Sequence, residues 1–358
     1  MASMDLDDLG HYLANDPSHM AKRIAGLPEQ CMKAWSEAKS FQLPNYSGIE
    51  NVLFLGMGGS GVAGDMLVDV AALEATPPII VCRDYRIPKF VGKDTLAIAS
   101  SYSGDTDEVI SSLDQAVRSG AKALVITGGG RLADMARELH LPVLIVDHQG
   151  EPRTALGYSF FTSLAFLDTL GLVSPKDSDV AEAVTVMKAV RAATLPETPE
   201  SRNISKQIAR ECLGRMVTIY GEGVLKGVAR RWKTQFNENA KNWAFLEFIP
   251  ELNHNAVVGY QLPQHMEGRF FVILLSSSFK HPSTAVNYRV TEELLEKAGI
   301  GFRTVEALGQ DPLGQMFGSI LTGDFASYYL AILQGIDPSP VEVIKYFKGQ
   351  VAKWRSSG

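Results

Sequence analysis

Cysteine is scarce in this chain. Cys31, Cys82 and Cys212 stand far apart and form no CxxC pair, which argues against a zinc site or a disulfide framework. The seven histidines (His11, His19, His140, His148, His254, His265 and His281) form no ligand-spaced set. Positive charge is also in deficit, with 34 Lys and Arg against 40 Asp and Glu and a net charge of -6. A nucleic-acid partner needs a basic face, so that class is excluded. An anionic small molecule is not, because it answers to a local site. No stretch of about 18 apolar residues occurs, so no membrane span is expected. Met1 to Asp16 is acidic and lacks an apolar core, so no signal peptide is expected either. These absences describe a cytoplasmic protein.

What is present suits a large α/β chain. Its 358 residues, 46% hydrophobic with 32 glycines and 17 prolines, suggest about two domains. Apolar runs predict strands at 51–55, 78–81, 95–99, 123–126 and 143–146. Helical periodicity is predicted between them over 61–72, 106–119 and 131–139. The pattern resumes after the polar, proline-bearing link at 194–199, with strands predicted at 216–220, 244–248, 270–275 and 302–305. Helices are predicted there over 224–238, 283–297, 311–334 and 340–354. Such alternation implies doubly wound, mostly parallel sheets flanked by helices. The expected division is an N-terminal helical segment over 1–45, a first α/β domain over 46–193 and a second over 194–358.

Ligands of such sheets sit at the carboxyl ends of the strands. There the first half carries Gly56-Met57-Gly58-Gly59-Ser60-Gly61, a strand–glycine loop–helix order that lets backbone approach an anion at a helix start. A tight turn would want glycine too. The next loop crowds Ser100, Ser101, Ser103 and Thr106 into one strand-to-helix turn. Helix capping needs one hydroxyl and this loop has four, which favours phosphate. The second half offers Tyr220-Gly221-Glu222-Gly223 at its first strand end and no expected counterpart of the serine cluster, so phosphate is assigned to the first half.

Phosphate loops hold a substrate but do no chemistry. Candidates for proton transfer are Glu238, within Asn237-Glu238-Asn239, and His254, within Asn253-His254-Asn255. The bland readings are a solvated Glu238 paired with Lys241 and a surface histidine. Arg153, after Pro152, is placed to stabilise an oxyanion; its bland reading is an exposed arginine paired with Glu151.

Five segments together resemble the bifunctional phosphoglucose/phosphomannose isomerases, of the phosphoglucose isomerase superfamily with two sugar isomerase (SIS) domains. They are the glycine loop, Ser101-Tyr102-Ser103-Gly104-Asp105-Thr106, Pro152-Arg153-Thr154-Ala155-Leu156-Gly157, Asn237-Glu238-Asn239-Ala240-Lys241 and Glu251-Leu252-Asn253-His254-Asn255. The stretch from Gly323-Asp324-Phe325 to Asp337-Pro338 is similar as well. The resemblance implies flavodoxin-like SIS domains and an aldose–ketose isomerase acting through a cis-enediol, with no metal and no cofactor. It implies phosphate held by Ser60, Ser101, Ser103 and Thr106 with the Gly59 amide, Glu238 as base and Arg153 on the enediolate. His254 would open the sugar ring from the partner subunit of a homodimer, assisted by Lys348 or, in the alternative helix register, Lys345. Two positions depart from the family pattern: Ala256 where a glutamate is usual, and Asp105 where an asparagine is common. A non-catalytic sugar-phosphate sensor and an isomerase of another phosphosugar remain the alternatives.

Overall fold

The computed structural model describes residues 4–73, 77–261 and 268–356. Helices α1 (Gly10–Asn15), α2 (Met20–Ala25) and α3 (Leu27–Lys39) lead into the first sheet. Then follow β1 (Asn51–Leu55), α4 (Gly58–Ala71), β2 (Ile79–Cys82), β3 (Thr95–Ser101), α5 (Asp107–Arg118), β4 (Lys122–Thr127), α6 (Gly130–Glu138) and β5 (Val143–Ile145). Helices α7 (Leu156–Thr169), α8 (Asp177–Thr194) and α9 (Ile204–Cys212) connect the halves. The second half runs β6 (Met216–Gly221), α10 (Lys226–Glu238), β7 (Ala244–Phe248), β8 (Phe270–Ser276), α11 (Pro282–Lys297), β9 (Gly301–Glu306), α12 (Pro312–Leu333) and α13 (Glu342–Ser356).

Among the described residues all strand pairs are parallel. The first sheet is ordered β2-β1-β3-β4-β5 and the second β7-β6-β8-β9, the same winding with one strand fewer. Parallel strands are covered on both faces, which is why they read as continuous apolar runs; every residue of β3 is buried. In each sheet the chain reverses its winding beside the first strand, between β1 and β3 and between β6 and β8. A crevice opens at that point.

The helical periodicity predicts no helix over α7, α8 or α9. Helix α7 is buried from Leu156 through Leu167, so it has no polar face to mark a helical period. Helix α12 is long and apolar enough to cross a membrane, yet it is entirely buried. It packs against α8, α9 and α10, and one apolar core runs from Leu6 to Leu333 through both halves. Across that core the Arg231 side chain of α10 meets Asp324 of α12, with Nε at 3.0 Å and Nη2 at 2.8 Å from its two oxygens.

Candidate active site

The glycine loop follows β1 into α4. Met57 is extended and Gly58 takes the left-handed φ of +51° that glycine tolerates. A Cβ on Gly61 would lie 2.8 Å from the Gly56 carbonyl oxygen, so the turn closes only around glycine. The amides of Gly58, Gly59 and Ser60 open α4, where helix N–H groups lack intrahelical partners. A positive dipole end thus faces the crevice beside β1.

The hydroxyl loop follows β3 into α5. Ser101 Oγ and Thr106 Oγ1 are 2.9 Å apart. Thr106 stands at the helix start, but its side chain caps nothing, so capping does not account for it. Ser60 and Ser100 both reach Ser159 Oγ of α7, at 3.4 and 3.2 Å. Ser159 carried no sequence signal, being one of several hydroxyls scattered along an apolar helix. Asp105 turns away from the crevice: its Oδ1 accepts from the Arg131 backbone N–H at 3.2 Å and side chain at 3.4 Å. The carboxylate is thus directed to Arg131 and is not among the residues lining the cavity.

These loops line a cavity of about 440 Å³ that also receives Arg153, Glu238, Ile344, Lys345 and Lys348. Arg153 is buried and not exposed. Its Nε donates to Asn239 Oδ1 at 2.7 Å and its Nη2 to the carbonyls of Pro338 and Ser339, both at 2.8 Å. Its Nη1 stands 3.6 Å from Glu238 Oε2. Burial draws the guanidinium pKa down, opposed by the carboxylates of Glu238 and Glu151. The bland pairings do not form as expected. Glu151 binds Arg23 at 3.1 Å, and Lys241 donates to the Glu238 backbone carbonyl at 2.8 Å, not to its carboxylate. Arg231 holds the site from below, its Nη2 donating to the Arg153 carbonyl at 2.8 Å.

Lys345 is ion-paired with Glu342 at 2.8 Å on the exposed side. Lys348 has no hydrogen bond or ion pair to any described residue. His254 ends a 3-10 turn, is exposed, and is not among the residues lining this cavity. The protomer therefore does not bring His254 to Glu238. Asn253 beside it donates to Thr291 Oγ1 at 2.7 Å. Ala256 packs against the apolar cluster of Tyr220, Ile249 and Leu252.

One expectation needs correction. The second half does carry a serine run at the equivalent strand end: Ser276 closes β8 and Ser277-Ser278 follow it, as Ser100-Ser101 close β3. Its hydroxyls are already engaged. Ser277 Oγ donates to Gln315 Oε1 at 2.7 Å, Gln315 Nε2 donates to Ser278 Oγ at 2.6 Å, and Lys280 Nζ donates to Ser276 Oγ at 2.8 Å. All three hydroxyls of this run therefore already have partners within the second half. Among the described residues no three His, Cys, Asp or Glu side chains gather as metal ligands; His265 lies outside those residues.

The profile of the bacterial phospho-glucose isomerase C-terminal SIS domain matches residues 201–351. A bifunctional phosphoglucose/phosphomannose isomerase of Caldicellulosiruptor bescii is 36% identical over 336 residues, spanning 93% of this chain and 99% of the relative. Another, from Thermoplasma acidophilum, is 33% identical over 339 residues, spanning 91% and 100%. The tagatose-6-phosphate ketose/aldose isomerase structure from Escherichia coli shares the fold, with a TM-score of 0.69 at 15% identity over 88% of this chain and 93% of that one.

Proposed function

This chain belongs to the bifunctional phosphoglucose/phosphomannose isomerases and is an aldose–ketose isomerase of sugar phosphates; from that premise we propose that it interconverts fructose 6-phosphate with glucose 6-phosphate and mannose 6-phosphate without a metal. The substrate phosphate sits on the amides of Gly59 and its neighbours and on the hydroxyls of Ser60, Ser101, Ser103 and Thr106. Glu238 takes the proton from C2 of the open-chain aldose and returns it to C1 through a cis-enediol. The reverse direction starts at C1.

The observation that carries this reading is the Arg153–Glu238 pair, 3.6 Å apart at the cavity wall. The two members differ in freedom. Arg153 is locked by three hydrogen bonds, whereas the Glu238 side chain is 27% exposed. A fixed cation in a buried setting stabilises the negative charge that develops on the enediolate oxygen, with little reorganisation at the moment of reaction. A carboxylate with room to swing serves two adjacent carbons in turn. No redox cofactor is needed, because the hydrogen leaves and returns as a proton.

Ring opening is assigned to His254 of the partner subunit, with Lys348 assisting, so the working unit is a homodimer with a shared site. The exposure of His254 and the unpaired ammonium of Lys348 at the cavity support this. Interconversion of these hexose phosphates fits glycolysis and gluconeogenesis.

The test is a coupled assay on EDTA-treated protein supplied with fructose 6-phosphate, following glucose 6-phosphate and mannose 6-phosphate separately. Formation of both supports the dual, metal-free isomerase. Tight sugar-phosphate binding with neither product would refute it in favour of a sensor or another phosphosugar.

A further inference from the structure

Lys241 lies outside the chemistry just described, and its conformation is unusual. It lies exposed just past the end of α10 with a left-handed φ of +52°, where glycine or asparagine is the usual residue. That backbone turn sends the side chain back over the helix end. Its Nζ donates to three backbone carbonyls: Glu238 at 2.8 Å, Asn239 at 3.3 Å and Pro338 at 2.9 Å. Arg153 Nη2 donates to the same Pro338 carbonyl at 2.8 Å. Two cations thus grip the segment 337–341, which leads straight into α13 and Lys348.

We infer that Lys241 is a positioning residue whose ammonium ties the Glu238 end of α10 to the 337–341 strap, holding base and C-terminal lysine across one cleft. This rests on the reading of Glu238 as the base. An ammonium has three protons and three acceptors are present; a neutral amine has two, and one carbonyl would lose its donor. The charges facing Lys241 are Arg153, Asp337, Glu238 and Glu151. Desolvation of the ammonium among these carbonyls and the charge of Arg153 lower its pKa to about 8, against the pull of the three carboxylates. The grip is therefore complete below that value and loosens as pH rises through it.

The experiment has two arms. Steady-state kinetics of the dimeric enzyme and of Lys241→Met are compared from about pH 6 to about pH 9.5. The expected variant has kcat down by about tenfold to a hundredfold near neutrality with KM changed little, because the phosphate loops are untouched, and lacks the alkaline fall seen in the wild type. A variant with wild-type kcat, or with the same alkaline fall, overturns the inference. The second arm uses the wild type alone, so it survives a variant that fails to fold. Amide hydrogen exchange of Ser339, Val341 and the first turn of α13 is followed across the same pH range and corrected for intrinsic rates. Protection should drop above about pH 8; constant protection overturns the inference. A wild type that turns over no fructose 6-phosphate refutes the Glu238 reading instead, and the exchange arm still decides the grip.

Discussion

Replacing Asp324 by alanine removes the carboxylate to which Arg231 Nε and Nη2 donate. Both side chains are buried, 3% and 5% exposed. The guanidinium would keep one acceptor, the Arg153 carbonyl, and its Nη1 already has no partner. An uncompensated buried charge of this kind costs about 3–5 kcal/mol. That is about a hundredfold to several thousandfold in the folding equilibrium. Asp324→Asn retains one acceptor and should lose less. The double variant Arg231→Met with Asp324→Leu fills the space with apolar groups and should recover most of the stability. It should not recover turnover, because the Arg153 carbonyl has lost its donor and the guanidinium above it is no longer held level. Urea midpoints would read stability and kcat/KM the site. A loss under about 1 kcal/mol in Asp324→Ala would refute the charge argument. Full activity in the double variant would refute the positioning argument.

Three further outcomes are expected. Glu238→Gln should reduce isomerisation by about a thousandfold or more while calorimetric binding of fructose 6-phosphate stays within about threefold, because the variant keeps the shape and loses the base; near-normal turnover would remove Glu238 from that role. Ser103→Asp should raise KM for every hexose phosphate by about tenfold or more through charge repulsion, and an unchanged KM would remove phosphate from that loop. Asp69 of α4 accepts from the Gly227 amide of α10 at 2.6 Å, and burial raises its pKa to about 7 against the pull of that amide. The folded protein then binds more protons than the unfolded chain from about pH 4 to about pH 7, so this group's contribution to stability falls as pH rises through that window. Asp69→Asn should flatten the fall, gaining on the order of 1–3 kcal/mol relative to wild type between about pH 4.5 and about pH 7.5; parallel urea-midpoint profiles would contradict it.

Strands and loops were legible because their signals are local. β1 and β7 stand at 51–55 and 244–248 as the apolar runs predict, and the hydroxyl loop lies at a strand end beside the crevice. The pairing of Arg153 with Glu238 was not legible as a contact, since it joins residues 85 positions apart through a turn and a helix end. The family pattern named both residues but gave no reason why the arginine stays buried; Asn239, Pro338 and Ser339 supply it. The serine run at the end of β8 is missed altogether, since the sequence reading gives the second half no such cluster. Its partner Gln315 comes from a distant helix that no local pattern connects to it.

The position of α12 bears on how the chain is made. The ribosome delivers α2, α8, α9 and α10 well before residues 312–333, yet all four pack on that helix. Until it emerges, the nascent chain holds open apolar surfaces that no earlier segment covers, a condition in which chaperones bind. The link at 194–199 separates the two sheets but not the apolar core, which takes residues from both halves. Cutting there would yield a front fragment without the helix that seals it and a rear fragment in which that helix is uncovered on the side where α2 and α8 pack.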